Sequence, residues 1–157
     1  MADSKKNLKY FMRNLEPEVV TAPGLDRFCG EDGKPIPFEI KVLSQEEINK
    51  INEAYRRRSM ATDKKGNPLV SMGEVIWKVE KDSARASRHL IVEALVYPNL
   101  KDPELMEYYN CVDVTEMPLK VFSRADEYQY VSKIVMQALG LASEVDDGEE
   151  LEAAKKS

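Results

Sequence analysis

The only histidine, His89, stands four residues before Glu93, a spacing that sets an imidazole and a carboxylate side by side on one helical face. This is the sequence's nearest approach to a general acid–base couple, and an ion pair on a helix surface accounts for it. No second histidine exists to complete a zinc site, and Cys29 and Cys111 are too far apart in sequence to show ligand spacing. A Cys-His nucleophile pair would have to be assembled in space, and nothing next to either cysteine supports one. Gly24, Gly30 and Gly33 fit neither glycine-rich phosphate-binding fingerprint, and no Gly-Lys-Ser/Thr occurs. The paired carboxylates Asp146-Asp147 and Glu149-Glu150 lie where few apolar residues are present to tune them. No catalytic, cofactor-binding or metal-binding residue is assigned, and an enzyme is not expected.

Binding chemistry is better represented. Leu8, Phe11, Met12 and Leu15 recur at helical spacing before Pro17, an apolar stripe on a segment too short to persist unless it docks. The ordinary occupant is the chain's own body; the alternative is a partner's groove, where Phe11 and Met12 adapt readily. Arg56, Arg57 and Arg58, with Lys64 and Lys65 beyond, read as the C-terminal end of a helix whose dipole favours cations. A nucleic-acid module would call for a basic domain with aromatics among the charges. Six of the chain's 28 acidic residues and two of its 23 basic residues fall within 143–157, so the body is nearly neutral and the terminus acidic. No nucleic-acid partner is expected.

One domain over 1–142 and a flexible acidic tail over 143–157 follow from length and charge. Two distant cysteines suit a reduced compartment, where free buried thiols are expected. No apolar run approaches the roughly 20 residues a membrane span requires, so the reading is a soluble, cytoplasmic protein.

The elements that must position these residues give an α+β pattern: an N-terminal helix and β-hairpin region, then a mainly helical C-terminal half and a disordered acidic tail. Val19 to Ala22 and Arg27 to Cys29 read as extended, and Ile36 to Val42 alternates as a strand, with Gly30, Asp32 and Gly33 supplying the turn. Pro35 and Pro37 put the start of that strand at an edge or in solvent. Ser44 with Glu47 is a capping box for a helix through Ile48, Ile51 and Tyr55 to near Arg58. Residues 59–79 are ambiguous, with a second hairpin as one reading. A central buried helix is expected from Asp82 or Ser83 to Val96. A corner at Pro98-Asn99 then leads into a helix capped by Asp102 with Pro103 at its first position. A short helix near Glu116 to Phe122, capped by Thr115, precedes a last one after Ser123 with Asp126 as box partner. That last helix turns Tyr128, Val131, Ile134, Val135, Ala138 and Leu139 inward and stops at Gly140.

Tyr97-Pro98-Asn99-Leu100-Lys101-Asp102 with Glu104-Leu105, preceded by Asp26-Arg27-Phe28, Gly33-Lys34-Pro35 and Lys65-Gly66 and followed by Glu127-Tyr128, resembles the XkdN-like phage tail assembly chaperones from about Asp26 to Gly140. Two departures are Tyr108-Tyr109-Asn110-Cys111 in place of a Ser-Tyr-Gly, and Asp126-Glu127-Tyr128 in place of Gly-Glu-Tyr. The resemblance implies a non-catalytic assembly factor of a phage, prophage or tail-like element, working in the host cytoplasm and absent from the mature virion. Its implied partners are the tape measure protein, whose aggregation-prone helices it keeps soluble, and the tail tube protein. In related gene clusters the chaperone resembles a pair expressed partly by frameshifting, for which Ala154-Lys155-Lys156 is compatible. The alternatives are a structural tail component retained in the virion, or a nucleic-acid-binding regulator acting through Arg56 to Arg58. Stoichiometry and contact surface are left open.

Overall fold

A computed structural model describes residues 6–13 and 16–141. Its architecture is α+β, organised around α2 (Ser83–Ala94), which packs against α1 (Gln45–Ala54), α4 (Met117–Val121), α5 (Ala125–Ala138) and a three-stranded antiparallel sheet. Leu90, Ile91, Val92 and Ala94 are all buried, as expected for a helix apolar around most of its circumference. Asp82 starts it by accepting a hydrogen bond from the N–H of Arg85.

The helix ends earlier than its apolar run. Leu95–Tyr97 forms strand β7 instead of a last helical turn, and it pairs with β2 (Phe38–Lys41), Ile40 opposite Leu95. Leaving the helix lets Leu95 and Tyr97 pair with β2 across a register shift at Val96 while Leu95 stays buried. β1 (Val19–Ala22) completes the sheet on the other side of β2, Val20 opposite Ile40. The corner at Pro98-Asn99 therefore joins a strand, not a helix, to α3 (Pro103–Tyr108); the Tyr97-Pro98 peptide is cis. Asp102 caps α3 and Pro103 occupies its first turn, as expected.

The turn at Gly30 to Gly33 closes a tight loop hairpin, with the Gly30 N–H on Lys34 O and the Ile36 N–H on Phe28 O, both at 3.0 Å. Gly24 holds this loop against β1, since a Cβ there would lie 2.0 Å from the Ile36 carbonyl oxygen. Pro35 and Pro37 are exposed, as their missing donors require.

Helix α1 has the reciprocal Ser44–Glu47 capping box. It stops at Ala54, and Arg56–Met60 form strand β3, so the three arginines do not end a helix as expected. β3 pairs antiparallel with β6 (Trp77–Lys81), and between them β4 (Val70–Ser71) pairs with β5 (Glu74–Val75). The second hairpin thus exists, and none of residues 56–81 joins the hydrophobic core.

Two caps differ from expectation. Asp113, not Thr115, caps the 3-10 turn Val114–Glu116 that leads into α4, and neither Glu116 before α4 nor Arg124 before α5 makes a side-chain cap. α5 turns the expected face inward, with Val131, Ile134, Val135 and Leu139 buried. Gly140 ends it at φ 78°, its N–H on Gln137 O and that of Leu141 on Met136 O, a Schellman closure. The N-terminal segment is a single 3-10 turn, Leu8–Phe11, rather than a helix reaching Leu15, which lies outside the described residues, as does the acidic stretch from 143 onward.

Candidate functional site

The residues with chemical potential do not converge. His89 Nε2 is 3.4 Å from Glu93, which also meets Lys101 at 3.2 Å, and His89 Nδ1 lies 2.7 Å from the Tyr55 hydroxyl. Burial pushes the Tyr55 phenol above its usual range. The cluster ties α1 to α2 and gathers no nucleophile. Cys29 is exposed and Cys111 half-buried, both free, so the expected burial of the thiols does not hold. The Cys29 thiol sits on the rim of the loop hairpin and bonds to Asp26 O there. Among the described residues no group of three or more potential ligands is placed to hold a metal ion, and no helix is long and apolar enough to cross a membrane.

The arginines of β3 are engaged locally. Arg56 pairs with Glu53 at 3.1 Å, Arg57 stands opposite Glu80, and the Arg58 guanidinium lies 4.5 Å from the centre of the Trp77 ring.

The feature that stands out is apolar. A groove of about 380 Å³ runs beside Pro98, walled by Phe28 and Ile36 of the loop hairpin, Phe38 of β2, Tyr97 and Pro98, Leu105, Tyr108 and Tyr109 of α3, and Val121 and Phe122 at the end of α4. Its floor is held rigidly: Phe122 is buried and meets Phe28 and Phe38 edge-on, with ring centres 6.2 and 5.8 Å apart. Its outer wall is open to solvent, Tyr108 being 80% and Tyr97 48% exposed. The Tyr108 and Tyr109 rings brace each other edge-on at 5.0 Å.

The chain places these walls by local means. Asn110, in the left-handed region at φ 50°, closes α3 as Gly140 closes α5, with its N–H on Glu107 O and that of Cys111 on Met106 O. Arg27 anchors the loop hairpin to the helices: its guanidinium donates to Val121 O at 2.8 Å and lies 2.8 Å from Glu127. The lining of the groove carries no charged side chain, while Glu104 and Glu107 of α3 are exposed and lie outside that lining.

Leu8, Phe11 and Met12 are not part of this groove. They are 70%, 83% and 73% exposed on and just after their 3-10 turn, an apolar surface separate from the groove. The sequence pointed to the corner at Pro98 but not to the groove, because its walls come from separate segments that only the fold brings together.

Comparison with known proteins gives consistent matches over nearly the whole chain. The family model described as phage XkdN-like tail assembly chaperone protein, TAC, matches residues 8–155. The chain is 31% identical over 153 residues to the uncharacterized protein YqbN of Bacillus subtilis (strain 168), covering 96% of this chain and 93% of that one. It is 26% identical over 155 residues to the phage-like element PBSX protein XkdN of the same organism, covering 96% and 97%. The crystal structure of YqbN superposes with a TM-score of 0.65 at 25% identity, covering 85% of this chain and 96% of that chain.

Proposed function

We propose that this chain, which belongs to the phage XkdN-like tail assembly chaperone family, holds the tape measure protein in solution during tail assembly by receiving apolar segments of it in the groove beside Pro98. The observation that carries this reading is the groove itself: an aromatic trough with a rigid floor and an open wall, left uncovered by the described residues. Exposed apolar surface of this kind marks a contact site.

An amphipathic helix is the fitting occupant. It lays residues at i, i+3, i+4 and i+7 into an apolar groove, and the lining here offers no charge to oppose such a stripe. Tyr97 and Tyr108 offer large contact area with few torsions to freeze, which suits a surface that must bind and later release. Leu8, Phe11 and Met12, with Leu15, form a second contact for the same partner. The role is non-catalytic and belongs to the host cytoplasm before the tail is complete; delivery to the tail tube protein follows release.

Co-expression with the tape measure gene of the same tail cluster tests the reading. Soluble tape measure protein that co-purifies with this chain, together with absence of the chain from purified particles by mass spectrometry, is the expected result. A tape measure protein equally soluble without this chain would overturn it, and recovery of the chain from mature tails would make it a structural component instead.

A further inference from the structure

Residues 56–81 form a ribbon that the body does not cover. Every residue of β6 is exposed, and among the described residues the ribbon's only sheet partners are its own strands. A two-stranded ribbon is at best marginally stable in water, and three or more strands are needed for independence. Its charge is also set apart: Arg56, Arg57, Arg58, Lys64, Lys65, Lys78 and Lys81 against Asp63, Glu74 and Glu80 give seven cations to three anions, a net of +4 within a chain of net −5.

The ladder fixes which backbone groups are free. The Asp82 N–H donates to Tyr55 O at 3.0 Å and the Ala61 N–H to Ile76 O at 2.9 Å. In the antiparallel register that pairs Arg57 with Glu80 and Ser59 with Lys78, alternation turns the backbone of Lys78 and Glu80 toward β3. The N–H and C=O groups of Trp77, Val79 and Lys81 then point outward along a bare edge.

We infer that two copies of this chain pair antiparallel along β6, centred on Val79, to form a four-stranded sheet in the order β3–β6–β6–β3. The strand Trp77-Lys78-Val79-Glu80-Lys81 is self-complementary in that register. Val79 meets Val79 of the second copy, with the outward backbone groups exchanging hydrogen bonds there and at each Trp77–Lys81 pair. On one face each Lys78 meets a Glu80, so that with the existing 2.9 Å contact between Lys78 and Glu80 in one chain the four charges alternate around a square. On the other face each Lys81 comes against a Trp77 ring. Lysines on an edge ordinarily oppose pairing; here their spacing from Glu80 makes them fit. The opposite edge does not fit, because β3 paired about its centre sets Arg58 against Arg58.

A dimer built this way presents two grooves to one long partner and raises the effective concentration of the second contact. That consequence rests on the tape measure reading; the pairing does not, and the full chain alone tests it. Sedimentation equilibrium of the wild-type chain should show a monomer–dimer equilibrium. Lys78→Glu and Glu80→Lys, both at exposed positions, should each weaken it on the order of tenfold or more by setting like charges opposite one another. An equimolar mixture of the two variants should restore the dimer, because the two carboxylates carried by one variant then face the two ammonium groups carried by the other. Val79→Pro should also abolish pairing while the chain keeps its fold by circular dichroism, since the N–H it removes points away from β3. A wild-type chain that stays monomeric, a dimer indifferent to the single exchanges, or a mixture that fails to recover would overturn the proposal.

Discussion

The guanidinium of Arg27 lies 2.8 Å from the carboxylate of Glu127, linking the loop that carries Phe28 to the first turn of α5. Glu127 is only 7% exposed, and its near oxygen has no directed hydrogen bond, so its main compensation is the charge of Arg27. Removing one partner of a buried pair is costly, yet Arg27 is partly solvated and screening reduces the effect. Arg27→Ala should lower stability by about 1–3 kcal/mol, measured by urea unfolding, and should weaken partner binding further by loosening the Phe28 wall.

Leu95 and Leu105 flank the same corner but should behave differently. Leu95 is 2% exposed where α2 passes into β7, and Leu95→Ala should cost roughly 2–5 kcal/mol. Leu105 is half-buried at the groove wall, so Leu105→Ala should cost about 1 kcal/mol and show its main effect in partner affinity. Equal losses of stability at both positions would mean that the groove is part of the core.

The Asp113 carboxyl is held below its usual range by the hydroxyl and N–H of Thr115, with Arg85 adding attraction. A carboxylate with a lowered folded pKa stabilises above its unfolded pKa of about 3.9 and loses that contribution as pH falls through the folded value. The contribution should therefore be constant from neutral pH to about pH 5 and disappear below about pH 4. Asp113→Asn keeps the Oδ1 acceptor and the site is partly solvated, so it should remove no more than about 0.5 kcal/mol at pH 7, and it should flatten this acid limb in thermal melts recorded against pH. An unchanged acid limb would place the effect elsewhere.

Deleting residues 1–16 should leave the melting transition within about 0.5 kcal/mol of the full chain, because Leu8, Phe11 and Met12 lie exposed and join no core cluster. Loss of tape measure binding by that truncated chain is the expected second result; retained affinity would confine the contact to the groove.

Local signals were legible where a single residue type decides the backbone. Ser44 with Glu47, Asp102 with Pro103, and Gly140 each do what their chemistry dictates. Leu90 to Tyr97 was not legible in full, because an apolar run serves a buried helix and a buried strand equally well, and pairing with Ile40 decides between them. Arg56 to Arg58 likewise suit a helix end until Trp77 to Lys81 return beside them. Ser123 and Thr115 have capping chemistry but the chain does not use it, Asp113 taking the position before the turn. The groove escaped because no local pattern links Phe28, Phe38, Tyr97, Tyr108 and Phe122.

Site-specific photocrosslinking tests the central claim most directly. Replacing Tyr108 by benzoylphenylalanine places a photoreactive ring on the groove's open wall, and replacing Lys50 places one on the exposed face of α1, outside the groove. Irradiation of each chain co-expressed with the tape measure protein should yield an adduct to that protein from position 108 and none from position 50. An adduct from position 50 alone, or none from position 108 while the two proteins still co-purify, would contradict the assignment of the groove as the holding site.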